Sequence, residues 1–384
     1  MTTKHFPGGG AGQGGQDPHF PWGKNEVFPG KMFENNLIPF KAAIKAGTSA
    51  IMPYYSLPLG TQYEEIAYAY NRAIIYDLLR VKLGFKGIIN SDTGPIDMMP
   101  WGAETLSITE RYKKTMEAGV NLYSGNSDPT KLLETVKGGM VDMKLVDKSV
   151  LLLLNEKFQL GLFENPYVDE DAAERIAGNK DFKAKADLAL RKSIVLLRNE
   201  SNTLPLKAKT KVYFESYQKR SGASDTETGN VYDINNDPSL EFVKTPEMAD
   251  VILLWLKPSA TPLFGSTGAP LFLSLSKNGV NINYINGLTA KKPTVLVMNY
   301  NNPWVIDEIY NDKTKGNFKG VLATFGTTHE ALLDIIAGRF KPAAKMPFTT
   351  PISEEVVKNQ KEDVPGYLEG AGYALFKYDE GLRY

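Results

Sequence analysis

The residue best placed for chemistry in this chain is Asp92, in the stretch "GIINSDTG" at residues 87–94. It follows an apolar run typical of a buried strand and precedes a tight turn. Its carboxylate is therefore expected at the carboxyl end of that strand, where α/β proteins place their chemistry. A carboxylate in this position can act as a nucleophile or as a general base. The structural alternative is that Asp92 forms a turn or caps a helix, since aspartate is favoured in both places.

Other polar and aromatic residues are expected near strand ends of the same sheet. Lys4 and His5 precede a glycine-rich stretch, and "MPYY", which contains Met52 and Tyr55, ends a second apolar run. Trp101 follows Asp92 in the next part of the chain. Taken singly, these residues are typical of a solvated chain start, of core packing and of a partly buried aromatic side chain. Only their common position points to a shared site.

The glycine-rich stretch contains "GAGQGG" at residues 10–15, which fits G-x-G-x-x-G, the glycine pattern of dinucleotide-binding loops. That pattern has meaning only after a strand and before a helix. The nine residues before Gly10 are too few for a strand packed in a sheet, and prolines at 18, 21 and 29 oppose a helix start. We interpret the match as accidental and expect no dinucleotide or other cofactor.

Composition sets broad limits on the class of protein. The chain has 384 residues, enough for two domains, and its 42% hydrophobic and 23% charged content is that of a globular protein. Lys plus Arg and Asp plus Glu both number 44, so charge gives no reason to expect nucleic acid or an anionic membrane as partner. The absence of cysteine excludes disulfides, thiolate catalysis and zinc–thiolate sites. No apolar run approaches the ~20 residues of a membrane helix.

Residues 33–160 alternate helical patterns with short apolar runs, which predicts βαβ units and a parallel sheet. We predict strands at "SAIMPYYS", "GIINSD" and "VNLYSG". We predict helices at residues 33–47, 61–84 and 108–119, near 129–137 and at 143–160. The polar residues collect just after the strands, at the edge of the sheet where active sites of such folds lie.

A second α/β pattern follows a polar, proline-bearing segment. We predict a first domain at residues 1–160, a linker at 161–180 and a second domain at 181–384. Helices are predicted at 181–192 and 328–338. Five strands are predicted at "SIVLLRN", "KVYFESY", "DVILLWL", "PTVLVMN" and "GVLATF". The polar residues 218–237 are predicted to form a mobile loop.

The order of motifs resembles glycoside hydrolase family 3. In the first domain the resemblance rests on "KHFPGGG", "LIPFKAAIKAGTSAIMPYY", "GFKGIINSDTG" and "AGVNLYSG". Later motifs are "VDKSVLLLLNEKFQLGLFENPY", "ADLALRKSIVLLRNESNTLPL", "KPTVLVMNYNNPW" and "AGRFKPAAKMPFTTP". The resemblance covers nearly the whole chain except residues 215–245. It implies an α/β fold in which the C-terminal part of a (β/α)8 TIM-type barrel precedes an α/β sandwich.

The resemblance also implies a function and the roles of particular residues. It implies hydrolysis of terminal β-linked sugars, as by a β-glucosidase, through a covalent glycosyl-enzyme on Asp92 and without metal or cofactor. Lys4 and His5 would bind sugar hydroxyls, and Met52 and Tyr55 would line the site. A nearby lysine would help to keep Asp92 ionised, and Tyr55 would donate a hydrogen bond to it. Thr93 replaces a tryptophan usual in plant-type members, so we expect Trp101 to supply the stacking surface.

The general acid is where the sequence departs from the family pattern. The family's β-glucosidases take it from a loop after the strand that resembles "DVILLWL", yet residues 251–306 contain no Asp or Glu. Three replacements stay open: an acid of residues 218–237 such as Glu227, His19, or a residue of a second subunit. Asp17 and His19 keep the D-x-H spacing of the Asp-His dyad found in the family's N-acetylglucosaminidases, although Pro18 stands between them. His19 is otherwise a sugar-binding residue.

The Lys-His motif comes far earlier here than in full members of the family, whose barrels have further strands before it. We therefore expect a fragment of a longer enzyme that associates as a homo-oligomer or with a complementary N-terminal half. Any signal peptide, and with it a periplasmic or secreted location, would belong to that other part. Three functions stay open: a β-glucosidase acting on oligosaccharides or aryl or alkyl glycosides, an inactive carbohydrate-binding or complementing fragment, and a β-N-acetylhexosaminidase.

Overall fold

The computed structural model describes residues 1–218, 237–259, 272–370 and 372–384. These residues form two compact units. The first comprises Met1–Val168 together with Lys361–Val364, and the second begins at Asp169 and contains the other described residues. Glu227 and nearly all of the predicted loop at 218–237 lie outside the described residues.

The first unit is an α/β structure built on parallel strands. Its strands are β1 Thr2–Phe6, β2 Asn25–Glu26, β3 Ala50–Pro53, β4 Leu57–Pro58 and β5 Ile88–Ile89. Its α-helices are α1 Phe33–Lys45, α2 Ile108–Ala118, α3 Thr130–Lys137 and α4 Met143–Gln159. Within the described residues the main sheet has the order β1-β3-β5, with both pairs parallel, and β2 pairs with β4 separately.

The core of the first unit lies between this sheet and the helices around it. Phe6, Ile51 and Ile89, one from each strand of the main sheet, are completely buried together with Leu37 of α1. Each contributes roughly 1.5–3 kcal/mol by leaving water. Since parallel strands all end at the same edge of a sheet, this packing holds the ends of β1, β3 and β5 side by side.

Two predictions for the first unit are wrong in informative ways. Thr2–Phe6 is a strand although only nine residues precede Gly10, because pairing with β3 compensates for its brevity. The predicted helix at 61–84 is regular only over Ala73–Lys82, where it is wound as a π-helix. Before that point the buried Tyr68 and Tyr70 are held by hydrogen bonds from their hydroxyls to Glu26 and to the carbonyl of Pro95. Tertiary contacts override the helical pattern there.

The predicted strand "VNLYSG" is reduced to a single parallel bridge between Asn90 and Leu122. The predicted linker at 161–180 contains a capped helix, α5 Glu170–Ile176. The two compact units divide between Val168 and Asp169. The domain boundaries predicted from the sequence stay predictions.

The second unit is a mixed sheet with helices on both faces. Its further helices are α6 Lys180–Lys192, α7 Ile282–Thr289, α8 His329–Ile336 and α9 Glu354–Lys358. Its strands are β6 Val195–Asn199, β7 Lys211–Tyr217, β8 Glu241–Phe242, β9 Val251–Leu256, β10 Thr294–Asn299, β11 Phe318–Thr324, β12 Thr350–Pro351 and β13 Ala374–Phe376. The main sheet has the order β6-β11-β10-β9-β7-β8, and only β6 runs antiparallel to its neighbour.

The central strands of this sheet are apolar on both faces because each face is covered. Along β9, Ile252 and Leu254 pack on the side of α7, whereas Leu253 and Trp255 pack on the side of α8. All six residues of β9 are buried. This two-sided burial explains why the strand appears in the sequence as a continuous apolar run.

One helix of the first unit has an uncovered apolar face. No residue of α4 is buried, and Val150, Leu151, Leu154 and Phe158 are 39–59% exposed. Their spacing of four and seven residues places them on one side of the helix. We call these four residues the α4 apolar face. A contiguous apolar surface of this kind is typical of an interaction site.

We expect the purified chain to self-associate through the α4 apolar face, because burying these side chains against a second copy removes them from water. Light scattering coupled to size exclusion should give a mass that rises with concentration above that of one chain. The double variant Leu151→Glu, Phe158→Glu should stay monomeric. The matched control Ile38→Glu, Val81→Glu changes two equally exposed apolar residues elsewhere and should associate like the parent. Equal association of both variants would contradict the assignment.

No helix among the described residues combines the length and the apolar character needed to cross a membrane.

Candidate active site

Asp92 lies just beyond β5, where its carboxylate is largely enclosed but not sealed from solvent. The residue is 9% exposed. One carboxylate oxygen, Oδ2, lies 3.1 Å from Nε2 of His5, and the other, Oδ1, accepts a hydrogen bond of 2.8 Å from the backbone N–H of Thr93. His5 comes from the end of β1, so the pairing of β1, β3 and β5 brings the two residues together.

These contacts set the ionisation of Asp92. Burial by itself would raise the pKa of this carboxyl group, but the hydrogen bonds from His5 and from the Thr93 backbone outweigh it and hold the pKa below its usual value. The Tyr55 hydroxyl adds to the lowering. The carboxylate is therefore ionised near neutral pH while it sits in a mostly dehydrated place, which suits a nucleophile.

Two adjacent tyrosines at the end of β3 connect Asp92 to the rest of the site. The Tyr55 hydroxyl donates a hydrogen bond of 2.6 Å to the carbonyl of Thr93. Burial raises the pKa of Tyr55, and the negative charge of Asp92 raises it further, so the phenol stays protonated. The ring of Tyr54 lies 5.2 Å from that of His5, measured between centroids. Tyr54 is not among the site residues predicted from the sequence, because the motif "MPYY" does not indicate which of its two tyrosines contacts the histidine.

The D-x-H residues form a real pair in the structure. Nδ1 of His19 lies 2.6 Å from Oδ1 of Asp17, and the same oxygen accepts the backbone N–H of His19 at 2.9 Å. The His19 ring packs edge-on against Tyr55, with 4.9 Å between centroids. The indole N–H of Trp101 donates to the carbonyl of Pro18 at 2.8 Å, which fixes the turn between Asp17 and His19.

A continuous set of contacts therefore joins the two histidine–carboxylate pairs. Asp17 contacts His19, His19 packs on Tyr55, and Tyr55 lies beside Asp92, which contacts His5. Burial raises the pKa of Tyr54 most, and the negative charges of Glu26, Asp17 and Asp92 raise it further, so both carboxylates of the pairs act on that tyrosine.

The glycine-rich stretch passes beside these tyrosines. A Cβ atom added at Gly9 would lie 2.8 Å from the Tyr54 ring, so a larger residue would displace the tyrosine that packs on His5. Farther along the chain, Asp363 accepts hydrogen bonds of 2.7 Å from the backbone N–H groups of Gly30 and Met32.

Although β1 precedes the glycine-rich stretch, the α-helix that a dinucleotide would need does not begin until Phe33.

The remaining residues predicted for the site have different positions. Lys4 is exposed, and the side chain that contacts the Asp92 carboxylate is that of His5. Met52, on β3 opposite Lys4, is half-buried. Trp101 is only 8% exposed, and its indole N–H is used to hold Pro18. Its stacking on a ligand stays a prediction.

Within the described part of the chain, no group of three or more His, Asp or Glu side chains could hold a metal ion. What the site contains is an ionised carboxylate, two histidines and a second carboxylate that orients one of them. Such a set can deliver a nucleophile and exchange protons.

Comparison with family models assigns both parts of the chain. The glycosyl hydrolase family 3 N terminal domain matches residues 1–155, and the glycosyl hydrolase family 3 C-terminal domain matches residues 194–384. Together the two matches leave unassigned only residues 156–193 between them.

Curated relatives agree with this assignment. The chain is 38% identical over 397 aligned residues to a probable beta-glucosidase C of Aspergillus flavus, covering 100% of this chain and 59% of that protein. It is 32% identical to a periplasmic beta-glucosidase/beta-xylosidase of Dickeya chrysanthemi, covering 99% of this chain and 59% of that protein. The chain thus spans about three-fifths of the length of the curated relatives it matches.

Solved structures share the fold. The beta-glucosidase from Listeria innocua in complex with glucose superposes with a TM-score of 0.76 at 22% identity, over 100% of this chain and 57% of that one. An exo-1,3/1,4-beta-glucanase from Pseudoalteromonas superposes with a TM-score of 0.76 at 18% identity, over 100% of this chain and 64% of that one. The predicted fold class, part of a (β/α)8 barrel followed by an α/β sandwich, is confirmed. The chain belongs to glycosyl hydrolase family 3.

Proposed function

We propose that this chain carries the nucleophile and the hydroxyl-binding residues of a retaining β-glycosidase that removes terminal β-linked glucose or xylose. The observation that carries the proposal is the enclosed carboxylate of Asp92, kept ionised by His5 and by the Thr93 backbone N–H. The names of the relatives, beta-glucosidase and beta-glucosidase/beta-xylosidase, support the choice of sugar.

In the proposed reaction, Asp92 attacks the anomeric carbon and forms a covalent glycosyl-enzyme, while a general acid protonates the departing oxygen. Water then attacks the same carbon, with the former acid acting as base, so that the configuration is retained and Asp92 is released as a carboxylate. His5 and Lys4 would bind the sugar hydroxyls, with Met52 and Tyr55 beside them. His5 is therefore proposed to act twice, on the sugar and on the pKa of Asp92.

For the acid/base we propose His19, oriented by Asp17. Their 2.6 Å contact fixes the orientation of the ring, because Asp17 occupies Nδ1 and the other ring nitrogen is the one that can serve as the proton donor. The contact of His19 with Tyr55, which lies next to Asp92, keeps the imidazole in the neighbourhood of the nucleophile. Glu227 is the competing candidate from the sequence.

The same pair supports a second candidate function, that of a β-N-acetylhexosaminidase, because an Asp-His dyad is the acid/base of that branch by resemblance. Turnover by the 384-residue chain should be compared for the 4-nitrophenyl β-glycosides of glucose, xylose and N-acetylglucosamine. Preference for glucose or xylose supports the first proposal, and preference for N-acetylglucosamine supports the second. Binding of these sugars without turnover would support the third possibility, a non-catalytic carbohydrate-binding protein.

We also propose that full activity requires association, either with a second copy or with a polypeptide that supplies further barrel strands. Within the described residues the main sheet of the first unit ends at β1, and the α4 apolar face is uncovered. Turnover measured against protein concentration tests this, because activity that depends on association rises more steeply than linearly. Strictly linear activity at the rate of related enzymes would contradict it.

His5→Gln should move the acid limb of the pH dependence of kcat/KM to higher pH. His5 is among the groups that lower the pKa of Asp92, so its loss raises that pKa and protonates the nucleophile at a pH where the parent is still active. The matched control is Lys4→Gln, which should weaken substrate binding but leave the limb in place, since Lys4 is exposed and the carboxylate contacts described for Asp92 come from His5 and Thr93. A shift of the acid limb in Lys4→Gln but not in His5→Gln would mean that Lys4, and not His5, lowers the pKa of Asp92.

A further inference from the structure

The second unit contains an open cavity of about 490 Å³ at the end of β10. This is within the usual size of small-ligand sites, roughly 300–1,000 Å³. All of its lining residues belong to the second unit, so it shares none with the Asp92 site. Five of the lining residues are aromatic: Tyr300, Phe348, Tyr367, Tyr373 and Tyr378.

Two of these aromatic residues are presented to solvent rather than packed away. Tyr367 is 59% exposed and Tyr378 is 53% exposed, and their ring centroids are 5.4 Å apart with planes inclined at 40°. Exposing two adjacent tyrosine rings costs hydrophobic free energy that burial would recover. Paired exposed rings beside a cavity are therefore typical of a ligand surface.

Contacts hold the Tyr378 backbone and the rings of Tyr373 and Phe348, so part of the cavity wall is formed in advance. The backbone N–H of Tyr378 donates to Oγ1 of Thr349 at 3.1 Å. The hydroxyl of Tyr373 donates to Oε1 of Gln360 at 2.6 Å. Phe348 packs edge-on against the buried Tyr300, with 5.8 Å between centroids. Preformed rings lose little conformational entropy on binding.

The polar groups of the cavity are amides and hydroxyls. Asn301, Asn302, Thr349 and Gln360 line it, and none of the lining residues is Asp, Glu, Lys or Arg. The side-chain oxygen of Asn301 accepts the indole N–H of Trp304 at 2.9 Å, so the NH2 group of the same amide faces away from the Trp304 nitrogen. Burial raises the pKa of Tyr373, and the nearby negative charge of Glu369 raises it further. Since none of the lining residues is a cation, the cavity has no charged partner for a phosphate or a carboxylate.

We propose that this cavity is a second binding site for a neutral saccharide, lined only by residues of the second unit. A pyranose ring has an apolar C–H face, which fits against Tyr367 and Tyr378, and a rim of hydroxyls, which fits the amides and Thr349. An aliphatic lipid has no hydroxyl groups to exchange hydrogen bonds with the polar side chains of the lining, whereas a sugar has several. The site would hold one or two sugar residues of a β-linked chain.

The test is a titration of the full 384-residue chain, labelled with ¹³C in its tyrosine rings, with cellobiose and cellotetraose. The Asp92→Asn background prevents hydrolysis. Resonances of Tyr367, Tyr373 and Tyr378 should shift with the sugar. Tyr367→Ala and Tyr378→Ala should each weaken this binding by about fivefold. Tyr167→Ala, which removes an exposed tyrosine of the first unit, is the matched control and should leave the affinity unchanged.

The proposal does not depend on catalytic activity, because the tyrosine resonances distinguish sugar binding at the cavity from sugar binding near Asp92. Shifts confined to Tyr54 and Tyr55 would overturn the second site while supporting the hydrolytic centre. Shifts of the cavity tyrosines in a chain that hydrolyses nothing would support the second site alone. Unchanged affinity in both alanine variants, or displacement of the sugar only by a proline-rich peptide, would also overturn it. Tyr367→Phe should retain binding, since the ring face is kept.

Discussion

Asp92→Asn is expected to lower kcat/KM for aryl β-glucosides by roughly a thousandfold or more. An amide of the same shape keeps one acceptor oxygen, which can still accept the Thr93 N–H, and presents an NH2 group to His5, but it cannot form the glycosyl-enzyme. Because both turnover steps pass through that bond, activated and poor leaving groups should lose rate alike. Thermal unfolding of the variant should stay close to that of the parent, since no apolar contact is removed.

The matched control is Asp97→Asn, a change of the same kind at an exposed carboxylate five positions along the chain. It should retain activity. A 2-deoxy-2-fluoroglucoside that inactivates the parent should add its sugar to the peptide containing Asp92, detected by mass spectrometry. Retention of activity within about tenfold in Asp92→Asn, or labelling of another carboxylate, would remove Asp92 from the mechanism.

His19→Ala is expected to have a large effect that depends on the leaving group. For alkyl glucosides, whose departing oxygen must be protonated, the loss should be about a hundredfold to ten-thousandfold. For 2,4-dinitrophenyl glucoside, whose phenolate leaves without help, glycosylation should fall by less than about tenfold. A plot of log kcat/KM against leaving-group pKa should therefore become steeper in the variant.

Asp17→Asn should show the same dependence on the leaving group to a smaller degree, because the imidazole keeps its place but loses the carboxylate that orients it. Gln16→Ala, next to the pair in the chain, is the control and should leave the slope unchanged. Equal losses on both kinds of substrate in His19→Ala would mean that this residue only binds sugar. The acid/base would then have to be sought elsewhere, with Glu227 as the first candidate.

Much of the architecture follows from local sequence patterns. β9 and β10 appear as nearly continuous apolar runs because both faces of their sheet are covered, and β7 and β11 contain shorter apolar runs. These runs predict the four strands. α2 is recognisable from Ser107 and Glu110, which form a capping box, and from Gly119, which ends the helix in a left-handed conformation. Such signals lie within a few residues of the element they specify.

The position of the candidate nucleophile also follows from the sequence. A short apolar strand followed by Asp92 and a turn predicts a carboxylate at the carboxyl edge of the sheet, and the structure places it there. The family resemblance predicts a pair from the D-x-H spacing of Asp17 and His19, and the two side chains are in contact in the structure.

Features that depend on contacts between residues distant in sequence are determined only by the tertiary structure. Thr2–Phe6 is a strand only because β3 offers it an edge, and that pairing brings His5 rather than Lys4 to the Asp92 carboxylate. The segment before Ala73 does not form the predicted helix, because the Tyr68 hydroxyl donates a hydrogen bond to Glu26 in the core. A backbone N–H or C=O group or a buried hydroxyl forms its hydrogen bond with a group that the fold brings close to it. When that partner is distant in sequence, the segment alone does not identify it.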